Sequence, residues 1–132
     1  MREIKFRAKK INNDEWVYGN LVIDPTDNYR MYWKPFEGAI SNTYHFVDHK
    51  TIGQFTGLKD KNDVDIYEGD ILSEKWKCEV YRDITGAYMV KYGINTSVNI
   101  PITLYKYLKN RERAKTHELD CVVIGNIHEK NN

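Results

Sequence analysis

No apolar run in this chain exceeds four residues, the length of CVVI at 121–124. A membrane-spanning helix needs about twenty, so none is expected. Cysteine is almost absent: Cys78 and Cys121 are the only two, too few for a disulfide framework. The opening MREIKFRAKKI is basic but has no apolar stretch after it, so no secretory leader is read there, and two free thiols in a reducing cytoplasm are expected. Charge of one sign is also lacking. Twenty Lys and Arg stand against nineteen Asp and Glu, for a net +1, so no global field draws the molecule to nucleic acid or an anionic membrane, and any such contact must be local. The chain has no Gly-rich phosphate loop, no G-x-S-x-G and no dinucleotide fingerprint. Repeats, low-complexity tracts and linkers are not evident either, which points to one continuous domain over 1–132, with an N-terminal β lobe over 1–50 on a barrel over 51–132.

Aromatic residues are plentiful: ten Tyr and three Trp in 132 residues. Aromatic and β-branched side chains suit a pleated, half-buried surface, so the expectation is a mainly β protein. EIKFRA alternates, with Ile4, Phe6 and Ala8 on one face, and EWVYGNLVI at 15–23 is strand-like, which with Asn12, Asn13 and Asp14 between them predicts an N-terminal hairpin. Residues 24–50 show no steady period and are read as irregular, although YRMYW within them has the composition of a short strand. TIGQFT at 51–56 is a strand, Asn62 and Asp63 make a tight turn, and a long β segment starts near Asp70. Asp83 and Gly86 mark a further hairpin. From Pro101 the period lengthens, with Ile102, Tyr105 and Leu108 on one face, which predicts a single helix over about 101–114. DCVVIGNIHE closes the chain as a strand in which Gly125 marks a bulge or bend. Short strands with regular turns suit a small barrel or sandwich.

The stretch GQFTGLKDKNDVDIYEGDIL, 53–72, holds five acids and three glycines. A helix-flanked calcium loop counted from Asp60 would place Val64 fifth, Asp65 sixth and Ile71 twelfth, where an oxygen ligand, Gly and Glu are required. Counted from Asp63 it fails again. Glu68 and Asp70, two apart, would share a face if the strand began there and could form a carboxylate pair for hydrolysis. The structural reading gives them to a corner: Gly69 permits a sharp backbone and Asp70 ties it down. His45 and His49, and His117 and Cys121, are spaced for one helical face but lack the further ligands of a zinc site, so no metal and no cofactor is expected. Cys78 and Cys121 sit in apolar, strand-like surroundings that leave a thiol inert. LYKYLKNRERAK combines Tyr105 with Lys106, Lys109, Arg111, Arg113 and Lys115. Cations near a helix C-terminus satisfy its dipole, and the same strip over 105–115 could meet phosphates and bases.

Taken in order, REIKFRAKK with WVYGNL, IGQFTGLKDKNDVDIYEGDIL, and VVIGNIHEK resemble the YopX family of small phage- and prophage-encoded proteins. The pieces cover under half of the chain. Asn62-Asp63 stands where the family often has Asn-Gly, His128 replaces a Tyr, and an Asn-Pro-Glu continuation is missing. The resemblance implies a mostly β protein with a small, partly open barrel of the SH3 kind that tends to self-associate and has no agreed activity. It carries over no catalytic residue. The shared Gly57, Leu58, Tyr67, Glu68, Gly69, Asp70, Gly125 and Asn126 are of the kind that fix turns and strand junctions. Sequence and resemblance together lead to the expectation of a non-enzymatic, self-associating module in the cytoplasm of a host bacterium, contacting a host or phage macromolecule. Nucleic-acid binding through 105–115 is the alternative.

Overall fold

The computed structural model describes residues 3–32, 44–72, 77–92, 102–106, 108 and 122–129. The chain divides into two compact units, Met1–Phe55 and Thr56–Asn132.

Four strands and the start of a fifth build the first unit: β1 (Phe6–Lys9), β2 (Trp16–Ile23), β3 (Tyr29–Tyr32), β4 (Tyr44–Phe46) and the beginning of β5 (Gly53–Lys59), in the sheet order β4-β3-β2-β1-β5. Every pairing in it is antiparallel. The expected hairpin is β1–β2. Alternation sends Ala8, Met31 and Val47 to one side, where they are buried together under Phe6, Val17, Leu21, Tyr29 and Ile52. A bridge between Lys10 and Val47, with the Asp48 amide donating to the Lys9 carbonyl at 2.8 Å, ties the chain after β4 to the end of β1. The sheet therefore curls over its own core. Residues 24–50 are not irregular throughout, since they contribute β3, β4 and a 3-10 turn at His49–Thr51 that is capped by the Asp48 side chain. Short strands of this kind escape a periodicity count because three or four residues give too few alternations.

The second unit takes the end of β5 with β6 (Asp65–Tyr67), then β7 (Asp70–Leu72), β8 (Cys78–Arg82), β9 (Tyr88–Tyr92), β10 (Ile102–Thr103) and β11 (Val123–Asn126). The last five form a sheet in the order β10-β9-β8-β7-β11. Ile66, Leu72, Cys78, Val80, Val90 and Leu104 are fully buried and make its core. The protein is thus mainly β, as its composition predicts. Among the described residues β10 and β11 are not paired with one another, so the sheet does not close into a barrel. What reads in sequence as one long segment from Asp70 is two strands, β7 and β8, paired antiparallel. The helix also starts later than expected: Ile102 and Thr103 pair with Val90 and Met89 of β9, and Leu104–Lys106 and Leu108 are helical. Thr103 Oγ1 accepts from the Lys106 amide at 3.2 Å, a side-chain cap that sets the start where Pro101 was expected to set it. The rest of the expected helix, to 114, lies outside the described residues.

Three hairpins share one turn. In Asp24–Asn28, Asp60–Val64 and Asp83–Ala87 the first residue is Asp. Its Oδ1 accepts from the amide two residues on, at 2.8, 2.8 and 2.9 Å, and from the amide four residues on, at 3.1, 2.9 and 3.1 Å. The fourth residue has a positive φ: Asp27 at 61°, Asp63 at 65° and Gly86 at 88°. This is the three-residue hairpin loop in which a turn is followed by a left-handed residue, with a carboxylate holding it closed. The hydroxyls of Thr26 and Thr85, followed by backbone amides, hold the Asp24 and Asp83 carboxyls below the usual aspartate range. A depressed carboxyl pKa stabilises the fold fully above the unfolded value of about 3.9 and loses that contribution as pH falls through the folded one. Carboxyl carbon NMR should accordingly show Asp24 and Asp83 titrating below about 3.9. Midpoints at or above that value would mean that the turns do not hold their acids as described.

Candidate functional site

In the acidic stretch 53–72, Asp60 and Asp70 accept backbone amides, while Asp63 and Asp65 pair with Lys59 and Glu68 faces Arg82. Asp60 is buried, and besides closing its own turn with Oδ1 it accepts from the Val123 amide with Oδ2 at 2.9 Å. One carboxylate therefore fixes a hairpin and anchors β11 to it. Its two oxygens accept three backbone amides between them. Gly57 has φ 84° inside β5, between Thr56, whose hydroxyl donates to the Ile66 carbonyl at 2.8 Å, and Leu58. At Tyr67–Asp70 the buried Asp70 Oδ2 accepts from the Tyr67 amide at 2.8 Å, and Gly69 takes φ 88°. The Gly69 amide donates to the Val80 carbonyl at 2.8 Å, and its own carbonyl accepts from the Ile127 amide at 2.9 Å. Asn126 pairs with Asp70 across β7–β11, and its side chain accepts from the His128 amide at 2.9 Å. Gly125 follows the register shift in β11, with room for a Cβ only 3.1 Å from Glu129 Oε2.

Glu68 and Asp70 do not share a strand face, because the turn at Gly69 intervenes. Glu68 faces Arg82 across 4.0 Å while Asp70 holds the Tyr67 amide. A Cβ on Gly69 would sit 3.4 Å from Ile127 Cγ1, an ordinary contact, so the cost of Gly69→Ala comes from the left-handed backbone. It is expected to be about 1–2 kcal/mol, measurable by urea unfolding. A neutral result would mean that this corner relaxes to another conformation.

His45 and His49 do not share a helix face, since His45 is in a strand and His49 opens the 3-10 turn. His45 is on β4, where burial and then the Lys10 charge lower its pKa, and His49 stacks on Tyr29 with ring centroids 5.3 Å apart. Among the described residues no three His, Cys, Asp or Glu side chains are grouped to hold a metal ion. Cys78 is buried in the second core. Tyr105 and Lys106 are exposed, while Lys109, Arg111, Arg113, Lys115, His117 and Cys121 lie outside the described residues.

The surface that stands out was missed in the sequence. Residues paired across antiparallel strands project to the same side of the sheet. The register pairs Arg7 with Tyr18 and Lys9 with Trp16, then Asn20 with Tyr32 and Tyr44, and Val22 with Arg30 and Phe46. All of these lie on the side of the first sheet opposite Ala8, Met31 and Val47. Arg7 is buried, but Tyr18, Tyr44 and Phe46 remain 51%, 39% and 44% exposed. The rings touch in series: Tyr32 and Tyr44 centroids are 5.3 Å apart, and Phe46 meets Tyr44 edge-on at 5.3 Å. The Arg30 guanidinium lies 5.1 Å from the Tyr44 ring and 5.6 Å from Phe46, and pairs with Asp24 at 3.0 Å. A hydrogen bond with Tyr32 raises its pKa further, so it stays cationic. Trp16 is flanked by Arg7 at 4.8 Å and Lys9 at 5.4 Å. The signal was present in WVYGNLVI, whose alternation places Trp16, Tyr18 and Val22 together.

What fold and surface define is a mainly β protein of antiparallel hairpins, in which Asp24, Asp60, Asp70 and Asp83 hold backbone amides and Tyr18, Tyr44 and Phe46 stay part-exposed on one side of the first sheet. It belongs to the YopX family, whose model, described as YopX protein, matches residues 5–132. No curated protein and no solved structure matches significantly. No helix among the described residues is long and apolar enough to cross a membrane.

Proposed function

We propose that this YopX protein is a non-enzymatic binding module, phage- or prophage-encoded and self-associating, that works in the host cytoplasm by contacting a host or phage macromolecule through the outer face of its first sheet. The family resemblance supports the phage setting and the self-association. The observation that carries the choice of surface is the register that puts Val22, Tyr32, Tyr44 and Phe46 beside Arg30, with Tyr18 further along the same side of β2. Contiguous exposed apolar surface is uncommon unless it meets something. Tyr and Arg are the residues that dominate binding energy, and rings lose little conformational entropy when they are fixed.

A photo-crosslinking phenylalanine analogue at Phe46 preserves the ring there, and the same analogue at the fully exposed Ile84, in the second unit's Asp83 hairpin, is the control. Expressed in host cells, the protein should form discrete macromolecular adducts from position 46 and not from 84. Adducts from 84 alone, or from neither, would contradict the assignment of this face.

A further inference from the structure

We infer that the seam closing the first unit's sheet is a proton-operated latch, in which protonation of His45 releases β4 from the end of β1. Register places the parts. Leu21, Met31 and His45 lie in one row across β2, β3 and β4, on the side that carries the core. Lys10 stands opposite Val47 in the closing bridge and opposite Glu15 in the β1–β2 hairpin, where its amide donates to the Glu15 carbonyl at 2.9 Å. Opposite residues share a side of the sheet, so Lys10 and Glu15 join His45 there, with His45 the diagonal neighbour of Lys10. The Lys10 ammonium pairs with the Glu15 carboxylate at 3.2 Å, and the lysine side chain is 17% exposed against 63% for the glutamate.

With His45 neutral, one cation meets one carboxylate. Protonation sets a second cation beside the sheltered Lys10, and the only charge opposing it is the water-screened Glu15. The other elements on this side bring Met31 and Tyr29 from β3, Leu21 and Val17 from β2, and His49 stacked on Tyr29. Asp14, Asp27 and Asp48 line the adjoining cleft with Lys10 and His49, but His45 does not line it, and the charges that act on His45 are those of Lys10 and Glu15. Burial first and the Lys10 charge second hold the imidazole below its ordinary 6.5, against the pull of Glu15. Neutral His45 therefore stabilises the closed seam fully above about 6.5, and this contribution is lost as pH falls through the lower, folded value. Across the seam the Ile11 amide donates to the Phe46 carbonyl at 3.2 Å and the Asp48 amide to the Lys9 carbonyl at 2.8 Å. With β4 only three residues long, few such bonds need to open. The same strand carries Tyr44 and Phe46 on its outer side, so its release also disperses the ring cluster. That consequence alone rests on the outer face being the working surface.

The test combines imidazole NMR of the labelled full chain with amide hydrogen exchange, corrected for intrinsic rates, between about pH 7.5 and about pH 5.5. His45 should titrate below 6.5, Lys10→Met should move its midpoint up, and Glu15→Gln should move it down. At the lower pH the Ile11 and Asp48 amides should lose protection about three-fold or more, while those of the β8–β9 ladder keep theirs. His45→Gln should remove that pH dependence. Should this variant fail to fold, the wild-type midpoint and its response to the two neighbours still decide. A midpoint at or above 6.5, no response to either neighbour, equal loss of protection in β8–β9, or a pH dependence that survives in His45→Gln would each overturn the inference. In host lysate, adducts from the analogue at position 46 should be fewer at the lower pH. Equal yields at both would overturn the reach of the latch to the outer face, whereas no adducts at either would remove the working surface and leave the latch standing.

Discussion

Replacing Asp60 with Ala is expected to lower the unfolding free energy by about 3 kcal/mol or more, a large fraction of the 5–15 kcal/mol typical of a domain. Three backbone amides, of Asn62, Val64 and Val123, lose their acceptor at once, and the site is buried, so water replaces it poorly. The two oxygens can be separated. Asp60→Asn keeps an oxygen for the turn amides but turns an NH2 toward the Val123 amide, donor against donor, so a loss of about half that size is expected. If urea unfolding found both variants within about 0.5 kcal/mol of wild type, like ordinary surface changes, Asp60 would be free for another role and the structural reading of the acidic stretch would be wrong.

The second large effect contrasts the two sides of the first sheet. Met31 is fully buried against Ala8 and Val47, while Tyr44 and Phe46 stand on the far side. Met31→Ala removes a packed side chain and leaves a cavity that a curled small sheet can fill only in part, for an expected loss of about 2–5 kcal/mol. Tyr44→Ala and Phe46→Ala give up ring-ring and cation-ring contacts at the surface and should cost about 1 kcal/mol or less each. Comparable losses on both sides, measured by chemical denaturation, would mean that the rings are core and not a surface held ready for a partner.

The mainly β class was legible because ring-rich, alternating segments have few alternatives, and the β1–β2 hairpin was legible because Phe6 and Ala8 alternate against Lys5 and Arg7. The turn at Gly69 and Asp70 could be read from residue chemistry alone. Three things could not. The strands β3 and β4 are too short to show a period. The helix start was assigned to Pro101 by a local rule, but pairing of Ile102 and Thr103 with β9 is a tertiary preference that overrides it. The aromatic face needs the register between strands distant in sequence, and only that register brings Phe46 beside Arg30 and Val22. The common turn of Asp24, Asp60 and Asp83 was readable in principle as Asp, any residue, Thr or Asn, then Asp or Gly. It does not stand out as a repeat because the three copies lie far apart and vary at their second, third and fourth residues.

The most direct measurement is amide chemical-shift mapping of the labelled full chain as the macromolecule captured from position 46 is added. Perturbations are expected to centre on residues 16–22, 29–32 and 44–46, with 60–72 unmoved. Shifts centred on Asp60–Asp70 instead would contradict the division made here between acids that hold turns and rings that meet a partner.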